Sequence, residues 1–297
     1  MLVEKTVLTE PMFEKKIEQY FGLPIEKRDF VQNSEIIRKD VNREIAEITD
    51  DMIPELIPKG MVEPEATFVH FNALLFKAKW FYSFSQTDSY EGKFYAKSTE
   101  SQKTLYMKNK AYYRIGKVKS LNAALITIPY QPIAGEVFAL TIIKPLDLQR
   151  NIDDFTRTFS SFKRLPVLLK NIDKRNPKQI YLHLPKWKQD KKTMLKKSLI
   201  AMGITDIFEN RANFSPLLDP KNTKPIKTSE LIHQAVLEVD EKGSKAAAAS
   251  AFVGGIGGPG KPLVVPHFHV DRSFVYLLRH LKSQQILMMG KVSNPGF

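Results

Sequence analysis

The chain has 297 residues, 43% of them hydrophobic and 26% charged, with no cysteine. That is enough apolar residue to bury a substantial core, which excludes disorder throughout, and the missing thiols exclude disulfide scaffolds, thiol catalysis and thiolate metal sites. With 45 Lys and Arg against 32 Asp and Glu, the net charge of +13 draws the protein toward polyanions without assigning it a function.

The first residues, Met1 to Thr6, carry neither a basic leader with an apolar stretch nor a small-residue cleavage site, so the sequence reads without a secretory signal and a cytoplasmic location is open. Phe13, Ile17, Tyr20 and Phe21 share one helical face behind Thr9-Glu10-Pro11. Ile37, Val41 and Ile45 share another, with a cap expected at Asn33 or Ser34.

From Ala66 onward the pattern turns to strands. They are expected over 68–76, 123–128, 137–143, 180–184, 235–239, 274–278 and 286–289, all rich in β-branched and aromatic residues. The longest apolar runs among them fall well short of the roughly 20 residues of a membrane helix, so no membrane span is expected. Lys191 to Met202 reads as a helix stopped by Gly203, with Lys192, Lys196 and Lys197 on its exposed face. The class is α+β with several antiparallel strands.

Catalytic motifs are absent. None of the six histidines, His70, His183, His233, His267, His269 and His280, stands in an HExxH arrangement. His267 and His269 lie two apart with only Asp271 as a nearby carboxylate, so no metal or other cofactor is expected. No Ser stands in GxSxG, and no GxxxxGK[ST] or GxGxxG motif follows a strand; the run over 254–258 is glycine-rich, but neither its spacing nor the following Pro259 fits a phosphate loop. The chain does not read as an enzyme.

The segment from Glu238 to Pro262 is unusual. A strand over 235–239 leads through Asp240 to Lys245 into Ala246, Ala247, Ala248, Ala249 and Ser250, and then into glycines. Local propensity favours a short alanine helix capped near Ser244 and followed by a linker. The other reading is an exposed loop of residues small enough to enter a sheet interior, with Gly243 as the pivot.

Glu241-Lys242-Gly243-Ser244-Lys245-Ala246-Ala247-Ala248-Ala249-Ser250 resembles the reactive-loop hinge of inhibitory serpins. Further family motifs follow the same order along the chain: Phe71 to Trp80, with Ala78 where glycine is usual; Leu184-Pro185-Lys186-Trp187; Met202 to Phe208; His233-Gln234-Ala235-Val236, with Gln234 where lysine is usual; Asp271 to Phe274; and Met289 to Pro295.

The resemblance implies one serpin domain over 1–297, with a large, mostly antiparallel central sheet and a reactive-centre loop over 241–262. The helices that usually open the family's fold are expected to lie outside this sequence. It implies a monomeric, extracellular suicide-substrate inhibitor of serine proteases. The alternative is a non-inhibitory serpin that binds or carries a ligand.

In the inhibitory reading, a protease forms an acyl-enzyme with the loop, and the cut loop then enters the central sheet as a new strand. Period-2 alternation would turn Ser244, Ala246, Ala248 and Ser250, all small, toward the core. The family's spacing puts the cut near Ile256, Gly257 or Gly258, which suits elastase-like or chymotrypsin-like proteases. Carried over residue by residue, Asn72 and His233 are the polar pair beneath the sheet centre, Trp80 marks the top of the opening, and Lys186 pairs with Glu241. Lys188, Lys191, Lys192, Lys196 and Lys197 resemble the family's site for heparin-like glycosaminoglycans. A specific nucleic-acid module would rest on charge alone, since no aromatic-lined groove is announced.

Overall fold

The computed structural model describes residues 1–297 except Leu23, Glu63, Glu65, Ser98, Thr99, Asn210, Lys224, Pro225, Lys227, Ser229, 244–263 and Phe297. Two compact units form, one from Met1–Leu75 with Asp190–Val236, the other from Phe76–Gln189 with Leu237–Phe297. Among the described residues, no helix is long and apolar enough to cross a membrane.

The first unit starts with strand β1 (Leu2–Glu4), helix α1 (Pro11–Phe21), strand β2 (Glu26–Arg28) and helix α2 (Phe30–Ile48). Pro11 at the start of α1 and Gly22 at its end, with a φ of 64°, fit the helix-start and left-handed stop preferences of those residues. The cap of α2 is Asp29, whose side chain accepts from Gln32 N at 3.1 Å, and not Asn33 or Ser34. Asn33 instead sits at a kink with φ −130° and ψ 21°, where a short polar residue that competes for backbone bonds is tolerated. Phe30, Ile37 and Val41 turn inward from α2 and pack with Leu2, Ile53, Leu56, Ile232 and Val236. Buried Asn42 ties the following segment to the helix: it accepts from Leu56 N and Ile57 N and donates to Ile57 O.

Strand β3 (Phe68–Leu75) completes the amino-terminal part. The chain then builds β4 (Tyr90–Lys97), the 19-residue β5 (Glu100–Val118), β6 (Ala123–Pro129) and β7 (Phe138–Pro145). Helices α3 (Ile152–Ser160) and α4 (Leu165–Asp173) follow, then β8 (Lys178–Pro185), β9 (Trp187–Met194), α5 (Lys196–Ala201), β10 (Leu231–Val239), β11 (His267–His269), β12 (Phe274–His280) and β13 (Ile286–Val292). Ile152, Phe155 and Phe159 give α3 one buried face, which packs with Leu169 and Ile172 of α4 and with Leu125 and Leu277.

One sheet has the order β2-β1-β3-β10-β9, and an eight-stranded sheet runs β11-β8-β5-β6-β7-β12-β13 with β4 also on β5. The helix expected from Lys191 is a strand as far as Met194, and only Lys196–Ala201 is helical. The apolar spacing of Met194, Leu195 and Leu199 suits a helix, but sheet pairing overrides it: β9 lies beside β10, and Leu195 N still bonds to Leu231 O.

Candidate functional site

Two groups of residues gather the positions singled out above, one in each unit. In the second unit, β10 ends at Val239 and the chain turns back at once: Asp240 and Gly243 face each other in an antiparallel bridge. Gly243 also bridges antiparallel to Lys79. Its φ is +110°, and a Cβ there would lie 2.2 Å from Ala78 O and 2.8 Å from Trp80 N, so both conformation and space demand glycine.

Trp80 is 1% exposed and donates through Nε1 to Asp240 O at 2.8 Å, while its ring stacks on Tyr130 with centroids 4.4 Å apart. Glu241 is held from three directions. Its carbonyl accepts from Phe84 N at 3.1 Å, its Oε1 from Ser89 Oγ at 2.7 Å, and its carboxylate pairs with Lys186 Nζ at 3.1 Å. Burial opposes the charge on Glu241, but the bonds from Ser89, its own backbone and Lys186 outweigh it, so the carboxyl stays below its ordinary range. Glu241, Trp80, Lys186 and Gly243 are therefore assembled into one anchor at the base of the loop. The remaining hinge positions, Ser244, Ala246, Ala247, Ala248, Ala249 and Ser250, and the expected cut region, Ile256, Gly257 and Gly258, lie outside the described residues.

In the first unit, β3 and β10 pair directly and in parallel over six rungs, from Leu231↔His70 to Val236↔Leu75. His233 faces Asn72 in that ladder, and its Nδ1 lies 2.9 Å from Asn72 Oδ1. Asn72 is exposed and His233 half-buried. Alternation explains this setting. Ile232 and Val236, with Phe71, Ala73 and Leu75 opposite, fill the face packed on α2, which leaves Asn72 and His233 on the other face. Gln234, on the packed face, donates to Asp190 Oδ1 at 2.7 Å.

The lysines expected on one helix face divide between two elements. Lys188, Lys191 and Lys192 are on β9, and Lys196 and Lys197 open α5. Neighbouring strand positions face opposite ways, so Lys191 and Lys192 do not share a surface. Lys192 donates to Glu55 O, and the Lys196 ammonium lies 5.5 Å from the centre of the Phe208 ring, while Lys191 and Lys197 are exposed.

One cluster was not visible in the sequence. His183 on β8 lies beside His267 and His269 on β11, and the ring nitrogens of the three fall within 4.8 Å of one another.

Residues 1–295 match the family model described as Serpin (serine protease inhibitor). The chain belongs to the serpin family. It is 28% identical to the leukocyte elastase inhibitor of Sus scrofa over 299 residues, spanning 98% of this serpin and 75% of that protein. It is 27% identical to serpin B3 of Homo sapiens over 292 residues, spanning 98% of this chain and 72% of the relative. Among solved structures, the Manduca sexta serpin-12 superposes with a TM-score of 0.83 at 22% identity, covering 99% of this chain and 74% of that one. The α+β serpin fold and the family membership expected from the motifs are both borne out.

Proposed function

We propose that this serpin inhibits serine proteases as a suicide substrate, its cut loop entering the sheet as a strand between β3 and β10. The observation that carries this reading is the direct parallel pairing of those two strands. The chain leaves β10, reverses at 240–243, and has its first antiparallel bridge at Gly243 with Lys79, four residues beyond the end of β3. A strand continuing from that reversal runs antiparallel to both neighbours. One parallel ladder is then exchanged for two antiparallel ones, with more hydrogen bonds and slightly better pairing per residue. The small residues at Ser244, Ala246, Ala248 and Ser250 supply inward positions without bulk to bury.

Elastase-like and chymotrypsin-like proteases are the favoured targets. Support comes from the apolar and glycine residues around Ile256, Gly257 and Gly258 and from the leukocyte elastase inhibitors among the relatives.

The experiment that tests insertion is a melting comparison. The loop is nicked with a trace of elastase, and the melting temperature of the nicked chain is set against that of the intact one. Insertion raises it well above the intact value. An unchanged or lower value removes insertion and leaves a serpin that binds or carries a ligand.

A further inference from the structure

His183 on β8 and His267 and His269 on β11 lie in the second unit, and the proposed inhibition makes no use of them. Among the described residues β11 is an edge strand of three residues, paired in parallel with β8 as His267↔Tyr181, Phe268↔Leu182 and His269↔His183. Residues two apart on a strand point the same way, and paired residues share a face. His267 and His269 therefore project to one side of β11, level with His183 on the same side of β8.

The rings stack nearly parallel. His183 and His269 have centroids 3.9 Å apart, and His183 Nε2 lies 2.9 Å from His267 Nδ1. Tyr90 OH sits 2.7 Å from His183 Nδ1, which commits that nitrogen to the hydroxyl and leaves Nε2, beside His267 Nδ1, as the ligand atom.

We propose that His183, His267 and His269 bind a zinc-class divalent cation, a three-imidazole set that leaves a fourth position to water. The ligand number and type are those of three-histidine zinc sites, and imidazole sets of this kind also take nickel and copper. Zinc-bound imidazole nitrogens lie about 2.0–2.1 Å from the ion. Donor atoms spread over 4.8 Å converge on such an ion by side-chain rotation, because the strand pairing has already aligned the backbones.

His267 and His269 are exposed, so the ion enters from solvent. A cavity of about 730 Å³ lined by Tyr90, Lys108, Asn109, Tyr181 and His183 opens beside the buried member of the set. Two cations weigh on the site. Lys108, opposite His183 in the β5/β8 ladder, opposes a bound cation, as does Lys144, which donates to His269 O; Asp271 favours one.

A bound ion would tie the short edge strand that follows the loop to β8, adding a second link to a ladder of three rungs. This holds whether or not the serpin traps proteases.

The test is calorimetric titration of the purified full chain with zinc chloride at neutral pH, with nickel as a second probe and chelator-treated protein as the start. One ion should bind per chain. The exposed-residue variant His267→Ala/His269→Ala should not bind, and affinity should weaken about tenfold or more in Tyr90→Phe, which loses only the hydroxyl behind His183. Hydrogen exchange at 267–269 should slow on adding zinc, and the melting temperature of the unaltered chain should rise with zinc concentration. Variants are matched to the unaltered chain by circular dichroism and melting without metal, so a folding failure is recognised as such. No zinc uptake by the unaltered chain overturns the proposal, and so does equal uptake by the well-folded double variant.

Discussion

His233 lies directly opposite Asn72 in the parallel β3/β10 ladder, its Nδ1 2.9 Å from Asn72 Oδ1, on a face where Asn72 is exposed. A neutral hydrogen bond in such a position is worth about 0.5–1.5 kcal/mol. His233→Ala should therefore lower the unfolding free energy of the intact chain by that amount, read from urea denaturation. Because the bond lies across the seam that the proposed insertion opens, the same variant should form the protease complex at least as fast as the unaltered chain. A loss of several kcal/mol, or slower complex formation, contradicts this reading of the rung.

The ion pair of Glu241 with Lys186 is 3.1 Å long, with side chains 6% and 18% exposed. Replacing Glu241 by Gln should cost about 1.5–3 kcal/mol, the range for hydrogen bonds to charged groups, and combining it with Lys186→Met should show coupling between the two changes. Since the folded-state pKa of Glu241 lies below its ordinary value, its stabilisation is complete above that ordinary value and fades as pH falls through the lower, folded one. Unfolding curves from pH 7 down to pH 3 should lose less stability in the Gln variant than in the unaltered chain.

Gly243 combines a φ of +110° with a Cβ position 2.2 Å from Ala78 O. The conformation alone should cost Gly243→Ala about 1–3 kcal/mol, and the backbone contact adds to it. Thermal melting of the variant checks this. An alanine variant as stable as the parent would mean that this turn is not the one adopted in solution.

Ser244 and Ala246 are the first two inward positions of the proposed inserted strand. Ser244→Arg should convert the inhibitor into a substrate, cleaved at the loop without complex, while Ser244→Ala retains inhibition, because an arginine has no room or partner inside a sheet core. The ratio of complex to cleaved chain on a denaturing gel is the readout. Retained trapping by the arginine variant contradicts insertion in this register.

Arg279 is fully buried and holds both oxygens of Asp173 at 2.9 and 3.0 Å, with Thr141 Oγ1 at 3.0 Å from its Nε. Removing the guanidinium by Arg279→Met leaves the Asp173 carboxylate with Gln284 Nε2 but without its counter-charge, and should cost about 3–5 kcal/mol by denaturant unfolding. Arg279→Lys should recover little of it, because an ammonium cannot make the two-pronged contact.

Much of the fold was legible because buried strands announce themselves. β6, β7, β8 and β12 are nearly continuous apolar runs, and each lies within two residues of its expected bounds. β4 and β5 went unseen, since their lysines, tyrosines and threonines alternate with few aliphatics and their burial is patchy over 27 residues. α3 and α4, nine residues each, are too short to show a clear period. Lys191 to Met194 followed the sheet against a helical spacing because pairing beside β10 decides more than local propensity.

The loop anchor could be assembled from family motifs, yet its physical content could not. Nothing in the sequence reveals that Glu241 is capped by Ser89, 152 residues away, or that Gly243 is pressed against Ala78. His183 and His267 are 84 residues apart, and only the pairing of β8 with β11 brings them together. The exposed setting of Asn72 and His233 likewise follows from which face α2 covers, a tertiary choice that alternation alone leaves undecided.

Covalent trapping of a protease can be read from one gel. The purified chain is incubated with an elastase-like and with a chymotrypsin-like protease, denatured and separated by mass, and the released carboxy-terminal peptide is sequenced. Loop insertion predicts a band at the summed mass that survives denaturation, with the peptide starting just after Ile256, Gly257 or Gly258. Complete cleavage with no band above the free chain contradicts it.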